Sequence, residues 1–168
     1  MAKECYLEID GKRTKLTDEQ LKALGLYEEP KKSPFDRVEK EKSYYLIDNC
    51  GCVASIRDYC WGADKTRHDI ANYCTNREIM QQRAWHETLN RLLWRFSMEN
   101  GYDKINWHNG NYDKYLIYFD HSCSTLYVAQ HSEYDYVGTI CFVTREIAAR
   151  AIEEIVKPFM VKHPDFIW

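Results

Sequence analysis

The stretch Tyr73-Cys74-Thr75-Asn76-Arg77-Glu78-Ile79 recurs in altered form as Cys141-Phe142-Val143-Thr144-Arg145-Glu146-Ile147. Asn76 and Thr144 occupy equivalent positions, and their side chains can accept hydrogen bonds from the free amides of a helix's first turn. The glutamate two positions after each cap complements the helix dipole. The two stretches therefore predict the same local structure twice: a strand that runs directly into a helix.

Two further strands precede each stretch, because aromatic and β-branched residues are enriched there and turn residues separate them. In the first copy they are predicted at residues 44–48 and 52–58, and in the second at residues 114–118 and 125–130. The same order of parts occurs twice, which indicates a degenerate internal repeat. We expect an α+β fold in which two tandem β-β-β-α repeats form small antiparallel sheets packed with two long helices.

Both predicted helices carry apolar residues at helical spacing. The first should run from Arg77 to about Asn100, where Gly101 ends it. In the second, Pro158 lacks an amide proton and should kink or end the helix, after which the aromatic tail at residues 163–168 packs back. The residues expected to be buried are Trp85, Leu89, Leu92, Leu93 and Phe96 in the first helix, and Ile147, Ala151, Ile152, Ile155, Val156 and Phe159 in the second.

The N-terminal residues predict a β-hairpin, because Asp10-Gly11 favours the positive φ angles of a tight turn between strands at residues 4–9 and 12–16. A polar connector bounded by Pro30 and Pro34 follows later in the chain. We therefore expect a boundary there. The predicted organisation is an N-terminal hairpin, short helix and linker at residues 1–33 and a core at residues 34–168, with its repeats at 34–104 and 105–168.

A short helix should follow the hairpin. Thr17 and Gln20 have the spacing of a capping box, and Gly25 is placed to end the helix. The predicted buried face consists of Leu21, Leu24 and Leu26.

Charge and hydropathy exclude several function classes. The chain has 23 basic and 26 acidic side chains, a formal charge of −3, so no global positive field favours direct nonspecific binding of nucleic acid. The longest apolar runs, such as residues 115–119, are far shorter than the roughly 20 residues that span a bilayer, and the N-terminus has no signal-peptide pattern. Seven cysteines, an odd number, suit free thiols in a reducing compartment. We expect a cytoplasmic protein.

A zinc site is the first chemistry to consider, because thiolates and imidazoles are preferred zinc ligands. The spacing does not support it, since structural zinc sites use two close pairs with two to four residues between the members. Only Cys50 and Cys52 are close here, and one residue separates them. The sequence predicts no metal site among Cys50, Cys52, Cys60, His68 and Cys74.

Nucleophilic catalysis by Cys123 with His121 or His131 is the second possibility, since a thiol needs a base to react at neutral pH. No orienting carboxylate or oxyanion motif accompanies these residues. The seven glycines are scattered and form neither GxGxxG nor GxxxxGK, which excludes the common phosphate-binding loops. We predict no catalytic residue, no cofactor and no enzymatic activity.

The connections between the second and third strands of the two copies combine acidic and aromatic residues. Tyr and Trp provide large contact areas at low entropic cost, and carboxylates can face arginine-rich partners. An equally simple interpretation is that the rings cover the edge of a small sheet. The candidate partner-binding residues are Asp58, Tyr59, Trp61 and Asp64 in the first connection, and Glu133, Tyr134, Asp135 and Tyr136 in the second.

Five segments are compared with known groups of proteins: residues 35–39, 44–47, 72–78 and 151–160, and the ending at residues 163–166. They resemble a group of small phage and prophage proteins of Gram-positive bacteria. The resemblance covers nearly the whole chain, although Cys74 occupies a position where we expect an aromatic residue. It implies an origin in a mobile element and supplies no catalytic residues.

Such an origin favours an accessory protein that binds and inhibits a host defence component, in the manner of an anti-CRISPR protein. The expected partner is a host protein, such as a nucleic-acid-binding defence effector, contacted through acidic and aromatic loops. The alternative is a protein that binds or sequesters a nucleotide or another small ligand, for which Arg57, Lys65 and Arg67 are the nearby basic residues. A regulatory or structural phage protein without inhibitory action also remains open.

Overall fold

A computed structural model describes residues 6–9, 11–26, 32–107, 113–131 and 138–168. The fold is mixed α+β, with three two-stranded antiparallel sheets and several helices. The chain divides into two compact units, Met1–Asp36 and Arg37–Trp168, close to the predicted linker. Among the described residues, no helix combines the length and apolar character needed to cross a membrane.

The N-terminal unit contains strands β1 (Tyr6–Ile9) and β2 (Lys12–Lys15), which pair antiparallel, and helix α1 (Asp18–Ala23). Thr17 forms the predicted capping box, because its hydroxyl accepts from the Gln20 amide while the Gln20 side chain accepts from the Thr17 amide. Residue 10 of the predicted turn and residues 4 and 5 of the first predicted strand lie outside the described part.

The predicted buried face of α1 is wrong for two of its three leucines. Leu21 is buried, but Leu24 and Leu26 are 57% and 61% exposed. Both follow the last residue of the helix, and Gly25 at φ +66° turns the chain away there. The amide of Leu26 donates to the Leu21 carbonyl at 2.9 Å, which closes the helix end without burying the later side chains.

The core unit begins with the hairpin of β3 (Ser43–Ile47) and β4 (Val53–Arg57). Helix α2 (Gly62–Asp69) follows, in a region where the sequence predicted a recognition loop. The long helix α3 (Arg77–Glu99) then begins at Asn76, whose side chain accepts from the Ile79 amide at 2.9 Å. Gly101 adopts φ +95° immediately after its end, so both predicted boundaries of α3 are confirmed.

After a short 3₁₀ turn at Tyr102–Lys104, strands β5 (Lys114–Asp120) and β6 (Thr125–His131) form the third hairpin. A continuous helical segment completes the chain. It comprises α4 (Arg145–Ala151), a π-helical turn at Ile152–Val156 and α5 (Lys157–Lys162).

The third strands, predicted at the start of the stretches 73–79 and 141–147, are each reduced to a single bridging residue. Cys74 pairs with Tyr45, and Phe142 pairs with Tyr115, each through two backbone hydrogen bonds of 2.7–3.1 Å. The helix caps at Asn76 and Thr144 come only two residues later. Because the chain must turn into a helix there, no length remains for a longer ladder.

Pro158 does not end the last helix. It occupies the second position of α5, directly after the π-helical turn. A proline removes one amide donor and its ring collides with the carbonyl four residues earlier. The wider π-helical turn at Ile152–Val156 accommodates that defect, so the helix continues to Lys162.

Helix α3 contributes to two hydrophobic clusters of the core unit, one along each half of its length. Its first half contributes Met80 and Ala84 to a cluster with Ile47 and Cys74. Its second half packs against Phe142 and the C-terminal helical segment, in a larger cluster. Most residues predicted as the helical core are buried, whereas Trp85, Leu92, Ile147 and Ile155 are only partly buried at its margin. The larger cluster consists of Leu89, Leu93, Phe96, Phe142, Ala148, Ala151, Val156, Phe159 and Phe166.

The predicted packing of the C-terminal tail is confirmed. Phe166 is buried in the larger cluster and lies edge-on to Phe159, with ring centroids 5.5 Å apart. Gln82 of α3 binds the tail backbone in both senses, donating to the Asp165 carbonyl at 2.6 Å and accepting from the Ile167 amide at 3.0 Å. The Gln82 side chain therefore satisfies one backbone acceptor and one backbone donor of the tail and holds the tail against α3.

Candidate functional site

The loop between β4 and α2, residues 58–61, carries two exposed aromatic side chains. Tyr59 is 39% exposed and Trp61 is 68% exposed. Their rings lie 5.2 Å apart between centroids with an interplanar angle of 29°, so they form a loosely stacked pair. We call residues 58–61 the aromatic loop. A large apolar pair on a surface loop costs solvation free energy unless something covers it.

Asp58 anchors the start of the aromatic loop from inside the protein. Its carboxylate is fully buried and receives a bidentate pair of hydrogen bonds from Arg37, at 2.8 Å from Nε and 3.0 Å from Nη2. The Tyr73 hydroxyl donates at 3.0 Å and the Cys60 amide at 2.7 Å. Four donors thus compensate the buried charge and fix the loop backbone at Cys60.

Asp64 anchors the other end of the aromatic loop. It is also buried, and one of its oxygens accepts from the backbone amides of Tyr59 at 3.1 Å and Trp61 at 3.2 Å. The other oxygen accepts from the Tyr44 hydroxyl at 2.8 Å, with Arg67 at 3.4 Å. The amides of both exposed aromatic residues are therefore held by a single carboxylate in the first turn of α2.

The two anchors are joined through a stacked pair of buried tyrosines. The rings of Tyr44 and Tyr73 lie 3.8 Å apart between centroids and 17° from parallel, and both are essentially inaccessible to solvent. Each hydroxyl donates to a different aspartate, Tyr44 to Asp64 and Tyr73 to Asp58. Polar networks with all donors and acceptors satisfied favour one conformation, so the network rigidifies the aromatic loop.

The loop backbone holds one residue in an unfavourable conformation. Cys60 adopts φ +62°, in the left-handed region, which costs a non-glycine residue about 1 kcal/mol. Its amide donates to Asp58, and its thiol is exposed between the two aromatic residues. The buried carboxylates therefore impose a strained turn that places both rings on the surface.

The network shifts the pKa of its ionisable groups in directions that follow from its contacts. Hydrogen bonds from Arg37 lower the pKa of Asp58 to about 2, against the cost of burial. Burial raises the pKa of Tyr73 to about 12, and burial likewise raises the pKa of Tyr44. Near neutral pH the network thus consists of an ionised Asp58 and two neutral tyrosines.

The lowered pKa of Asp58 predicts a specific acid sensitivity. Because the folded-state pKa of about 2 lies below the ordinary value of 3.8, the carboxylate stabilises the fold above about pH 4. That stabilisation is lost as pH falls through about 2. We expect the free energy of unfolding, measured by urea titration between pH 6 and pH 2, to fall less steeply for Asp58→Asn than for the unmodified protein.

Two other carboxylates also have a lowered pKa: Asp120 accepts hydrogen bonds from Ser122, and Glu146 accepts one from a backbone amide. Asp120 and Glu146 are present in both the unmodified protein and the Asp58→Asn variant. The difference between their two curves of unfolding free energy against pH therefore reports on Asp58 alone. Parallel curves would show that Asp58 titrates with an ordinary pKa.

The structure places the predicted partner-binding residues in two different environments. Tyr59 and Trp61 are exposed, as a contact role requires, whereas Asp58 and Asp64 are buried. The carboxylates are internal anchors, in contrast to the surface role predicted for them, because Arg37 and the tyrosines surround them. The remaining candidates, Glu133, Tyr134, Asp135 and Tyr136, lie outside the described residues.

Sequence reasoning missed the residues that hold the aromatic loop. The sequence gives Arg37 a place only in a segment of resemblance, and it gives Tyr44 and Tyr73 places only in such segments and in predicted strands. One local signal was present: Asp64 follows Trp61 by three positions, the spacing at which an acidic side chain accepts from the amide that starts a helix. That spacing would have predicted α2.

The cysteines considered as metal ligands are not gathered into a site. Cys74 is buried in the core, whereas Cys50, Cys52 and Cys60 are exposed on turns. Within the described ranges, no group of three or more Cys, His, Asp or Glu side chains has a geometry suited to a metal ion.

Cys123 and its two histidines also take separate roles. Cys123 is exposed in the turn between β5 and β6. The ring of His121 lies edge-on to Phe119 at 5.1 Å, and His131 shares a hydrogen bond of 2.9 Å with the Tyr118 hydroxyl. His131 pairs with Lys114 at the open end of this hairpin, whereas Cys123 lies in its turn.

The resemblance to phage and prophage proteins rests on the sequence segments alone. No protein-family model, no curated protein and no solved structure matches this chain.

Proposed function

We propose that the protein binds a host protein through the aromatic loop and thereby inhibits a host defence component. One observation carries this proposal: Trp61, 68% exposed, is displayed on a loop that two buried carboxylates hold in place. Trp and Tyr are the residue types most enriched among binding hot spots. The resemblance to phage and prophage proteins supports a defence component as the target.

The rigidity of the loop favours tight binding. A loop that must be ordered on association loses part of its interaction free energy to that ordering. In the aromatic loop, the amides of Tyr59, Cys60 and Trp61 are already hydrogen-bonded to internal aspartates. Binding would then require little backbone reorganisation, and the affinity would come from burial of the two rings.

The chemistry of the partner follows from what the loop exposes. Asp58 and Asp64 are inside, so the loop offers rings and not carboxylates. Arg57 precedes the loop and Lys65 follows Trp61 by one helical turn, and both are exposed. We therefore expect an apolar pocket on the partner with a polar or acidic rim, in place of the strongly basic surface expected from the sequence.

Replacing Trp61 by alanine should weaken partner binding by more than about tenfold, since a hot-spot tryptophan contributes more than about 1.4 kcal/mol. The partner would be identified by affinity capture of the tagged protein from a defence-competent bacterial lysate, then purified for calorimetry. Val161→Ala is the matched control, because Val161 is 84% exposed on α5 and lies outside the loop.

Equal affinity of the Trp61→Ala variant and the unmodified protein for that partner would contradict the proposed site. Thermal unfolding of both variants should be unchanged, because neither side chain belongs to the core. Measuring host defence activity in the presence of each variant would then show whether loss of partner binding is accompanied by loss of inhibition.

A small-ligand binder is the second candidate, favoured by the stacked rings of Tyr59 and Trp61 beside Arg57 and Lys65. Stacked rings can hold a nucleotide base, and basic side chains can contact its phosphates. Arg67, the third basic residue considered, already contacts Tyr44 and Asp64. Thermal stabilisation by a signalling nucleotide, lost in Trp61→Ala, would favour this candidate over a protein partner.

We further propose that residues 34–104 and 105–168 are two copies of one ββ(β)α unit. The matched bridges Tyr45–Cys74 and Tyr115–Phe142 support this interpretation, as do the equivalent helix caps Asn76 and Thr144. In the first copy, the connection between the second strand and the bridge carries the aromatic loop.

A further inference from the structure

Two exposed thiols lie in the turn between β3 and β4. Cys50 and Cys52 are separated by one residue, whereas every other pair of cysteines in the sequence is separated by at least seven. Both side chains are exposed. We call these two residues the turn dithiol. It is separate from the aromatic loop, because the whole of β4 lies between the two.

Asp48 fixes the backbone of the turn dithiol. One carboxylate oxygen of Asp48 accepts from the amides of Cys50 and Cys52, both at 2.9 Å. The Asp48 amide donates to the Cys52 carbonyl at 2.9 Å, and the Gly51 amide donates to the Asp48 carbonyl at 3.0 Å. These four hydrogen bonds hold both cysteines in one tight turn.

Gly51, between the two cysteines, lets the turn lie against α3. Its φ is +81°, in the left-handed region that glycine adopts without strain. A Cβ atom at this position would lie 3.5 Å from the Thr88 hydroxyl oxygen and 3.6 Å from Nη1 of Arg91, both on α3. The helix therefore covers the turn at the glycine, while both thiols remain accessible to a solute.

The spacing of the two cysteines permits a disulfide between them. A disulfide requires Cα atoms about 4.4–6.8 Å apart, and two residues of fully extended chain span about 7 Å at most. A chain that turns, as this one does at Gly51, brings the two Cα atoms closer than that limit. Exposed disulfides are readily reduced, so a bond here would be labile and would not act as a structural cross-link.

We propose that the turn dithiol undergoes thiol–disulfide exchange with a low-molecular-weight disulfide, RSSR. The thiolate of one cysteine attacks a sulfur of RSSR, the S–S bond of RSSR breaks, and RS⁻ leaves and takes up a proton. The thiolate of the other cysteine then attacks the protein sulfur of this mixed disulfide and releases the second RSH. The dithiol loses two electrons and two protons, which reduce RSSR to two RSH.

The two thiols suit this chemistry better than metal binding. A structural zinc ion takes four ligands, and no group of three or more Cys, His, Asp or Glu side chains in the described part of the chain is suited to a metal ion. Disulfide exchange needs only the two thiols. In reducing compartments, protein disulfides are usually transient and serve catalysis or redox sensing, and an exposed pair can form and lose such a bond.

The test uses the full-length protein, equilibrated with the glutathione couple, quenched with acid, alkylated and digested with trypsin. The tryptic peptide of residues 43–57 contains Cys50 and Cys52 and no other cysteine, and the peptide of residues 58–65 contains Cys60 alone. A disulfide between Cys50 and Cys52 makes the first peptide resistant to alkylation and lighter by two hydrogen atoms, which mass spectrometry detects.

Dilution of the couple distinguishes the two products. Each disulfide formed within the turn releases two glutathione molecules, whereas a mixed disulfide at Cys60 releases one. Tenfold dilution at a constant ratio of oxidised to reduced glutathione should therefore raise the ratio of disulfide to dithiol in peptide 43–57 about tenfold. The extent of mixed disulfide at Cys60 should not change.

Single substitutions provide the control. Cys50→Ser and Cys52→Ser should each abolish the internal disulfide and leave a mixed disulfide with glutathione on the remaining thiol. Circular dichroism of both variants should match that of the unmodified protein, because both side chains are exposed.

Two results would overturn the proposal. The first is a peptide 43–57 that carries only mixed disulfides, or whose oxidation does not respond to dilution, under conditions that modify Cys60. The second is a disulfide that joins Cys50 or Cys52 to any other cysteine. Neither measurement involves the partner of the aromatic loop, so the outcome is independent of the proposed function.

Discussion

Replacing Phe142 by alanine should lower the free energy of unfolding by about 4 kcal/mol, a large part of the stability of a domain this size. Phe142 is 1% exposed and lies where the β5–β6 sheet meets the helices. Its ring lies edge-on to Phe96 at 6.5 Å, and its backbone bridges to Tyr115. Truncation would remove the ring's contacts and leave a cavity between α3 and the C-terminal helical segment. Because both helices are held by the rest of the cluster, they cannot move together to close it.

The measurement is urea unfolding followed by circular dichroism. Phe142→Leu should cost less than Phe142→Ala, because it keeps most of the buried volume. Val161→Ala, at a side chain 84% exposed, should leave the unfolding midpoint unchanged. A loss below about 1 kcal/mol for Phe142→Ala would mean that the larger cluster is not the stabilising core of this unit.

Replacing Asp58 by alanine should lower the free energy of unfolding by about 3 kcal/mol. The substitution leaves the Tyr73 hydroxyl and the Cys60 amide without their acceptor and removes the partner of Arg37. Because nothing then compensates the left-handed backbone at Cys60, we also expect the loop to lose its fixed conformation. Hydrogen exchange at the Cys60 amide should accelerate more than exchange in α3.

Asp69→Ala is the matched control for that experiment. Asp69 ends α2 and its side chain is 58% exposed, with a contact of 3.8 Å to the His68 ring. Its removal should change stability by less than about 0.5 kcal/mol. If both aspartate variants lost the same stability, general charge effects and not the buried network would explain the result.

Helix boundaries were predictable because their determinants are local. Thr17, Asn76 and Thr144 each accept from an amide three residues later, and Gly101 supplies the left-handed turn that ends α3. Hydrogen bonds of this range depend on residue type and spacing, both of which the sequence contains.

Predictions that depended on how far an element extends were less accurate. The third strands became single bridges at Cys74 and Phe142, since the following caps turn the chain too early. Pro158 was expected to kink or end the last helix, which instead continues past it to Lys162 after a π-helical turn at Ile152–Val156. Both outcomes reflect tertiary packing, which determines whether a locally unfavourable geometry is tolerated.

The sequence by itself determined the α+β class, the hairpins, the helix caps and the aromatic character of the loop at residues 58–61. Only the tertiary structure decided that Asp58 and Asp64 lie inside while Tyr59 and Trp61 lie outside. The reason is that a carboxylate can be buried only where donors compensate its charge. Those donors, such as Arg37 for Asp58 and Tyr44 for Asp64, lie about twenty residues away and reach the carboxylates only through the fold.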